Sequence, residues 1–350
     1  MAFLIFGLWR LKQNQVEGTP KVSVVVAARN EEQNLRRCLE ALTHQSYPRE
    51  RLQLIVVDDR SQDGTREILN HYRSKLPELL KTIRIAENET HPSSKKHALT
   101  RGIARATGEF IFTTDADCTP PSAWISEMAS LFAPEIGIVI GPAPITAKNE
   151  LWDKLMGLNT LAKEFVAAGA AGWNLGVTCT GRNLAYRKAV FHEVGGFNNI
   201  AHSLSGDDDL FLQEVTGATR WRVTYSLNPN TAVPSQAKKN LSSFVTQHRR
   251  HASAGQYYTK PIQASYLVFN IANLSLFVFF AFGLFYDDLF PLAMLTFGLK
   301  LILDFLALYL IAKNLRKETL LVVFPLWEIF FLLSQIFISP LGFVGKSRWK

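Results

Sequence analysis

From Pro261 onward the sequence consists of three apolar blocks, at 266–286, 289–312 and 319–343. A block of about 20 apolar residues is what an α-helix needs to cross the hydrocarbon core of a bilayer. Inside lipid every backbone N–H and C=O must be satisfied within the segment itself, so the carboxyl-terminal part has almost no choice but helix. Asp287 and Asp288 separate the first two blocks, and Lys313, Arg316 and Lys317 follow the second. Basic loops stay on the cytoplasmic side, which puts the chain before Pro261 on that side as well. The third block has basic residues at both ends and contains Pro325, Glu328 and Pro340. These leave open a re-entrant or interfacial segment in place of a full crossing. Lys300 and Asp304 stand four apart in the middle block and can neutralise each other. Residues 1–20 start with about eight apolar residues and then Arg10 and Lys12, too short a stretch to cross. They read as an anchor at the membrane surface or as the remnant of a longer helix.

With 350 residues, 47% of them hydrophobic, the chain has room for two units and a sizeable core. The net charge of +8 suits an anionic lipid surface, and no basic stripe with interleaved aromatics suggests nucleic acid. Cys38, Cys118 and Cys179 are odd in number and widely spaced, which excludes a disulfide framework and a zinc site and fits a reducing compartment.

Between Lys21 and residue 113 the pattern alternates. β-branched or apolar runs at 22–27, 52–57 and 110–113, and an alternating strand-like run at 81–86, take turns with helical spacings, such as Leu35, Cys38, Leu39 and Leu42, or Ala98, Leu99 and Ile103. Such a succession predicts an α/β unit, a mostly parallel sheet with helices on both faces and ligands at the strands' carboxyl ends. Polar clusters fall at those ends: Ala28-Arg29-Asn30-Glu31-Glu32 after the first run, and Asp58-Asp59-Arg60-Ser61-Gln62-Asp63-Gly64-Thr65 after the second. Carboxylates placed there can accept hydrogen bonds from a nucleobase imide or from ribose hydroxyls. The same residues also suit helix caps and turns. After the fourth run come Asp115 and Asp117, one residue apart and so on one face of a strand. Two convergent carboxylates suit Mg²⁺ or Mn²⁺ carrying a substrate diphosphate; the alternative is an Asp-rich turn.

These stretches, with Lys95, Ala98, Leu99, Gly102 and Ile103, then Gly108-Glu109, together resemble the family 2 inverting glycosyltransferases. The resemblance continues through Gly181-Arg182-Asn183-Leu184-Ala185-Tyr186-Arg187, Val194-Gly195-Gly196-Phe197 and Gly206-Asp207-Asp208-Asp209-Leu210, and covers roughly 21–258. It implies a GT-A fold (nucleotide-diphospho-sugar transferase), a nucleotide-sugar donor and a divalent cation. On that resemblance Ala28, Asn30, Glu31 and Asp58 or Asp59 hold the nucleoside, Asp115 and Asp117 the diphosphate and metal, and Lys95 the donor region.

Inverting transfer also needs a base on the acceptor hydroxyl, and Asp207, Asp208 and Asp209 are the candidates. Three adjacent acids should raise at least one pKa. The family usually has Glu-Asp-x-Asp-Leu here. Anchoring on Asp209-Leu210 makes Asp207 the base, while a Gly-Asp-Asp alignment makes it Asp208; an acid-rich helix start is the third possibility. Gln247-His248-Arg249-Arg250-His251 resembles the Q-x-x-R-W element of membrane-bound members, with His251 in place of Trp. Gln247 then belongs to the donor site and Arg250 to stabilisation of the leaving diphosphate. The amphipathic pattern of the same stretch also suits a helix resting on the membrane. The domain plan is an anchor at 1–20, a catalytic unit at 21–236, an interfacial segment at 237–260 and a membrane region at 261–350. The expected activity is sugar transfer from a nucleotide sugar to a lipid or lipid-linked acceptor at the cytoplasmic face, without nucleic acid. The alternatives are a processive polysaccharide synthase and an inactive nucleotide-binding scaffold. A dinucleotide-dependent dehydrogenase is disfavoured, since no G-x-G-x-x-G follows the first strand.

Overall fold

The computed structural model describes residues 1–89, 91–146, 150–237 and 240–343; the side chains of residues 250, 342 and 343 are not described. The chain runs α1 (Ala2–Arg10), β1 (Val22–Ala28), α2 (Leu35–Thr43), β2 (Leu52–Asp58), α3 (Thr65–Lys75), β3 (Leu80–Arg84), α4 (Ser94–Ile103) and β4 (Phe110–Asp115). It continues with α5 (Trp124–Ala129), β5 (Ile136–Ile140), β6 (Ile145–Thr146), α6 (Leu151–Ala171), β7 (Leu184–Arg187), α7 (Lys188–Glu193), α8 (Asp209–Ala218), β8 (Arg222–Tyr225) and β9 (Ser235–Gln236). The remaining helices are α9 (Leu241–Ala254), α10 (Lys260–Gly283), α11 (Phe290–Asn314) and α12 (Phe324–Phe337).

Seven strands form one sheet in the order β3-β2-β1-β4-β7-β5-β8, while β6 and β9 pair separately. Among the described strands of this sheet β7 alone runs against its neighbours, pairing antiparallel with both β4 and β5. The first four strands match the alternating pattern of the sequence, and their burial shows why it was legible. Val22, Val24 and Val26 point into one core with Leu35, Leu39 and Leu42 of α2 and Trp124 of α5. Val25, together with Ile55, Val57 and Ile111, points into the other core, with Ala98, Leu99 and Ile103 of α4. A strand covered on both faces reads as a continuous apolar run.

α6 lies between the sheet and the membrane region. Its Leu158, Leu161 and Phe165 share a core with Ala307, Leu308, Ile311 and Ala312 of α11, and with Ile5 and Leu8 of α1. α1 and α6 meet at backbone distance: a Cβ on Gly169 would fall 2.6 Å from the Leu4 carbonyl oxygen and 3.0 Å from Leu4 Cα. Trp173 at the end of α6 stacks on Phe3 (4.8 Å) and donates to the Phe3 carbonyl (2.8 Å), so it packs the amino-terminal helix onto the domain.

Among the described residues three segments are long and apolar enough to cross a membrane: Lys260–Gly283, Phe290–Asn314 and Glu318–Leu341. The third is a broken helix. A 3₁₀ stretch, Glu318–Val323, precedes α12 and another, Ser339–Phe343, follows it. Pro325 sits in the first turn of α12, where a missing N–H costs nothing. Among α10 to α12, Lys300 meets both Asp304 (2.6 Å) and Glu328 (2.6 Å), so the pair expected from spacing is a triad that includes the next helix.

Candidate active site

The carboxyl ends of β1, β2 and β4 lie side by side, with Ala28 beside Asp58 and Ala27 beside Asp115. On the donor side, the turns after β1 and β2 are bound to each other. The Asn30 N–H donates to Ser61 Oγ (3.0 Å), the Gln62 N–H to Asn30 Oδ1 (2.9 Å), and the Glu31 N–H to Thr65 Oγ1 (2.8 Å). Asn30 and Arg60 adopt left-handed backbone, with φ of 55° and 57°. Such a conformation is uncommon away from glycine and frequent in ligand-binding turns. Neither Asn30 nor Ser61 caps a helix: the cap positions fall at Asn34 and Gly64.

Asp58 and Asp59, which the sequence left as alternatives, are held differently. Asp58 Oδ1 accepts from the Ser61 N–H (2.9 Å), while its buried Oδ2 has no partner among the described residues. Asp59 is already matched by Arg60 (2.8 Å), with Arg29 at 3.9 Å. A buried acceptor without a donor is costly unless a ligand supplies one, and of these two aspartates Asp58 is the one with such an oxygen among the described residues. Glu31 is half-buried and accepts from Asn34 Nδ2 (3.0 Å). Its carboxyl is pushed up by burial, and Asp117 and Asp115 push it further. The buried Cys38 thiol is pushed up to about 12, by burial first and then by the same acids.

Asp115 ends β4 and Asp117 is exposed two residues on. Among the described residues no three His, Cys, Asp or Glu side chains are grouped to hold a metal ion. The donor set nevertheless fits a hard cation. Both groups are carboxylates, Asp117 is open to solvent, and a diphosphate and water would complete the shell of Mg²⁺ or Mn²⁺. The acids also collect more negative charge than the one ammonium that meets them among the described residues balances. That ammonium is Lys95, from the first turn of α4, at 3.0 Å from Asp115 Oδ1 and 2.9 Å from Asp207 Oδ2. Burial opposes its charge, but Asp115, Asp207 and Asp208 outweigh burial and raise its pKa.

The three adjacent acids separate cleanly. Asp208 caps α8: its Oδ1 accepts from the Asp209 N–H (2.8 Å) and its Oδ2 from the Gly181 N–H (2.9 Å). Burial would raise its pKa, yet Lys95, these N–H groups and His251 bring it below the usual value. Asp209 accepts from the Leu210 N–H (2.9 Å) and from the Tyr258 hydroxyl, and burial with the neighbouring Asp208 raises it well above the usual value. Asp207 meets Lys95 alone among the described residues, and burial raises its pKa against the pull of that ammonium. Of the three, Asp207 has room for a further partner.

The structure therefore brings Asp58, Glu31, Asp115, Lys95 and Asp207 along one sheet edge. Gln247 is half-buried on α9, with no recorded bond to the donor-side turns among the described residues. The Arg250 side chain lies outside the described residues. Trp221 donates to Glu193 (2.7 Å) and lies under Arg187 (5.4 Å), which is packing. Reading the sequence gave no role to Tyr258 or Lys96, and none beyond motif membership to Gly181. Gly181 supplies the N–H on Asp208, Tyr258 binds Asp209, and Lys96 is buried beside Lys95 with three backbone carbonyls around it. The signal for Lys96 was a second lysine facing the core at the start of a helix; nothing in the pattern pointed to Tyr258.

Residues 23–195 match the sequence profile of glycosyl transferase family 2. The chain is 27% identical over 316 residues to "Probable glycosyltransferase YdaM" of Bacillus subtilis, covering 86% of this chain and 72% of that one. It is 30% identical over 205 residues to "Glycosyltransferase AglE" of Haloferax volcanii, covering 57% of this chain and 62% of that one. A "Beta-monoglucosyldiacylglycerol synthase" of Synechocystis is 24% identical over 248 residues, 69% of this chain but only 48% of its own length. Among solved structures, a mannosyltransferase of Pyrobaculum calidifontis in complex with GDP-Man and Mn²⁺ superposes with a TM-score of 0.62 at 19% identity, over 97% of this chain and 93% of that one.

Proposed function

The chain belongs to glycosyltransferase family 2 and has a GT-A fold, and from that premise we propose that it moves a sugar, with inversion, from a nucleotide sugar to a lipid or lipid-linked hydroxyl at the membrane surface. One observation carries the choice of acceptor. The acid cluster is tied to the chain just before the first candidate membrane helix: Tyr258 donates to Asp209, and the Thr259 N–H donates to Gln213 of α8 (3.1 Å). α10 starts at Lys260, so the acid cluster is tied close to the start of a candidate membrane helix, which supports an acceptor hydroxyl carried at the bilayer surface. A relative named for glycosylating diacylglycerol supports the same class of acceptor.

In this reading the free oxygen of Asp58 and the Glu31 carboxyl receive donor groups of the nucleoside. Asp115 and Asp117 would hold a divalent cation, which when bound would neutralise charge on the diphosphate of the departing nucleotide. Lys95 holds Asp207 in place and adds a positive charge beside the diphosphate. Asp207 takes the proton from the acceptor hydroxyl as its oxygen bonds to the anomeric carbon and the bond to the nucleotide breaks. The test is to incubate the lipid-embedded protein with a panel of nucleotide sugars and diacylglycerol or polyprenyl acceptors, and to follow nucleotide release and lipid product. Release that is indifferent to every lipid acceptor overturns the acceptor assignment.

Two smaller predictions arise here. Excess chelator abolishes transfer, and Asp117→Asn weakens nucleotide binding only when a divalent cation is present; full turnover in chelator removes the metal role. The loop with Lys313, Arg316 and Lys317 faces the cytoplasm with the catalytic unit. A cysteine at position 314 therefore stays unlabelled by an impermeant thiol reagent in intact cells and reacts in inverted vesicles.

A further inference from the structure

Lys96 is fully buried, at 0% exposure. Its ammonium donates to the carbonyls of Ile200 (2.6 Å), Ser203 (2.9 Å) and Ser205 (2.8 Å), so all three of its protons are spent on one short stretch of loop. The neighbouring Ser93 Oγ reaches the Leu204 carbonyl (3.2 Å), a fourth bond to the same stretch. An apolar side chain would fill this volume without the penalty of burying a charge, so what the lysine supplies is placement of the backbone. The loop it grips leads straight to the acid cluster: after Ser205 the chain turns at Gly206 in left-handed backbone (φ 85°), and the next residue is Asp207. The other end of the grip is rigid, since Ala98, Leu99 and Ile103 of α4 are buried against the sheet core. Two adjacent lysines on one helical turn thus hold the two sides of a single feature, Lys95 the Asp207 carboxylate and Lys96 the backbone that delivers it.

We propose that Lys96 is a positioning residue for the transfer step: by caging the carbonyls of residues 200–205 it fixes where Asp207 stands relative to Lys95 and the incoming acceptor hydroxyl. This rests on the reading of Asp207 as the base. The acceptor side alone depends on it, because the donor-side turns after β1 and β2 are held by their own bonds.

The test uses the full chain in lipid nanodiscs, with Lys96→Met compared to the parent for folding, donor affinity and kcat. A nitroxide at position 204 (Leu204→Cys in a Cys179→Ala background, Cys38 and Cys118 being buried) reports on the loop. Expected are unchanged donor affinity, a kcat lower by ~10²-fold, as a misplacement of about 1 Å produces, and a label that changes from restricted to mobile. Loss of a merely structural contact would lower the folded fraction and leave kcat per donor-binding site intact. Parent-like kcat or an equally restricted label overturns the proposal. If Lys96→Met does not fold, Ser93→Ala decides: a smaller fall in kcat with a loosened label supports the cage, and parent values for both overturn it. Asp207→Asn, measured alongside, separates the premises. An inert Asp207→Asn beside a fully active Lys96→Met removes only the positioning role, whereas an active Asp207→Asn removes the base and the positioning role with it.

Discussion

Asp207→Asn is expected to abolish transfer while leaving the donor bound. The amide keeps the shape of the carboxyl but cannot take the acceptor's proton, and a positioned base contributes ~10²- to 10⁴-fold. The loss should appear in kcat, with the dissociation constant of the nucleotide sugar little changed. Asp208→Asn is the matching control. Asp208 spends both oxygens on the N–H groups of Asp209 and Gly181, so its replacement should act chiefly on the stability of the α8 start, by about 1 kcal/mol. The pH profile gives a second check with a definite sign. The base must be ionised to act, and burial raises the Asp207 pKa, so kcat should fall on the acid side at a pH above the ordinary aspartate value of ~3.9. That acid limb should be lost in Asp207→Asn. If both variants keep most of their kcat, the base lies elsewhere.

Lys300→Met is the second large expectation, and it concerns the membrane region. Lys300 is 7% exposed and meets Asp304 and Glu328, themselves 8% and 4% exposed. Removing the ammonium leaves two carboxylates facing each other away from water, and breaking a buried pair in this way typically costs ~3–5 kcal/mol. In micelles the apparent melting temperature should fall on the order of 10 °C. Replacing all three residues at once (Lys300→Met, Asp304→Asn, Glu328→Gln) should restore most of it, because no charge is then left uncompensated. A single variant that melts with the parent would show that the triad carries no such load.

Much of this architecture was visible in the chain itself. β1, β2 and β4 could be read because they are covered on both faces and therefore largely apolar, whereas β3, at the sheet edge with Lys81 and Arg84 exposed, could be read from its alternation. The second half of the sheet was not, because β7 and β8 are four residues each and β7 runs against its neighbours, which no period of alternating strand and helix announces. The motif carboxylates picked out in the sequence fall together along one sheet edge, but how their oxygens are engaged was not in the sequence. Asp58 against Asp59, and Asp207 against Asp208, are adjacent residues of one type, distinguished only by which neighbours take their oxygens: Ser61 and Arg60 in the first pair, Lys95 and Gly181 in the second. Glu328 escaped notice as a partner of Lys300 because the two lie 28 residues apart on different helices.

The glycines between α1 and α6 have a consequence for the first ten residues. A helix of nine residues is too short to persist alone in water. α1 exists because Gly169 and Gly172 let its backbone lie directly on α6, with Arg10 resting over the Trp173 ring at 4.4 Å. Its helicity is borrowed, and whatever loosens the carboxyl-terminal end of α6 returns those residues to coil. The aromatic rings on its outer side, Phe6 and Trp9, are 56% and 65% exposed and meet edge to face at 5.4 Å, and they keep that arrangement only for as long as that loan lasts.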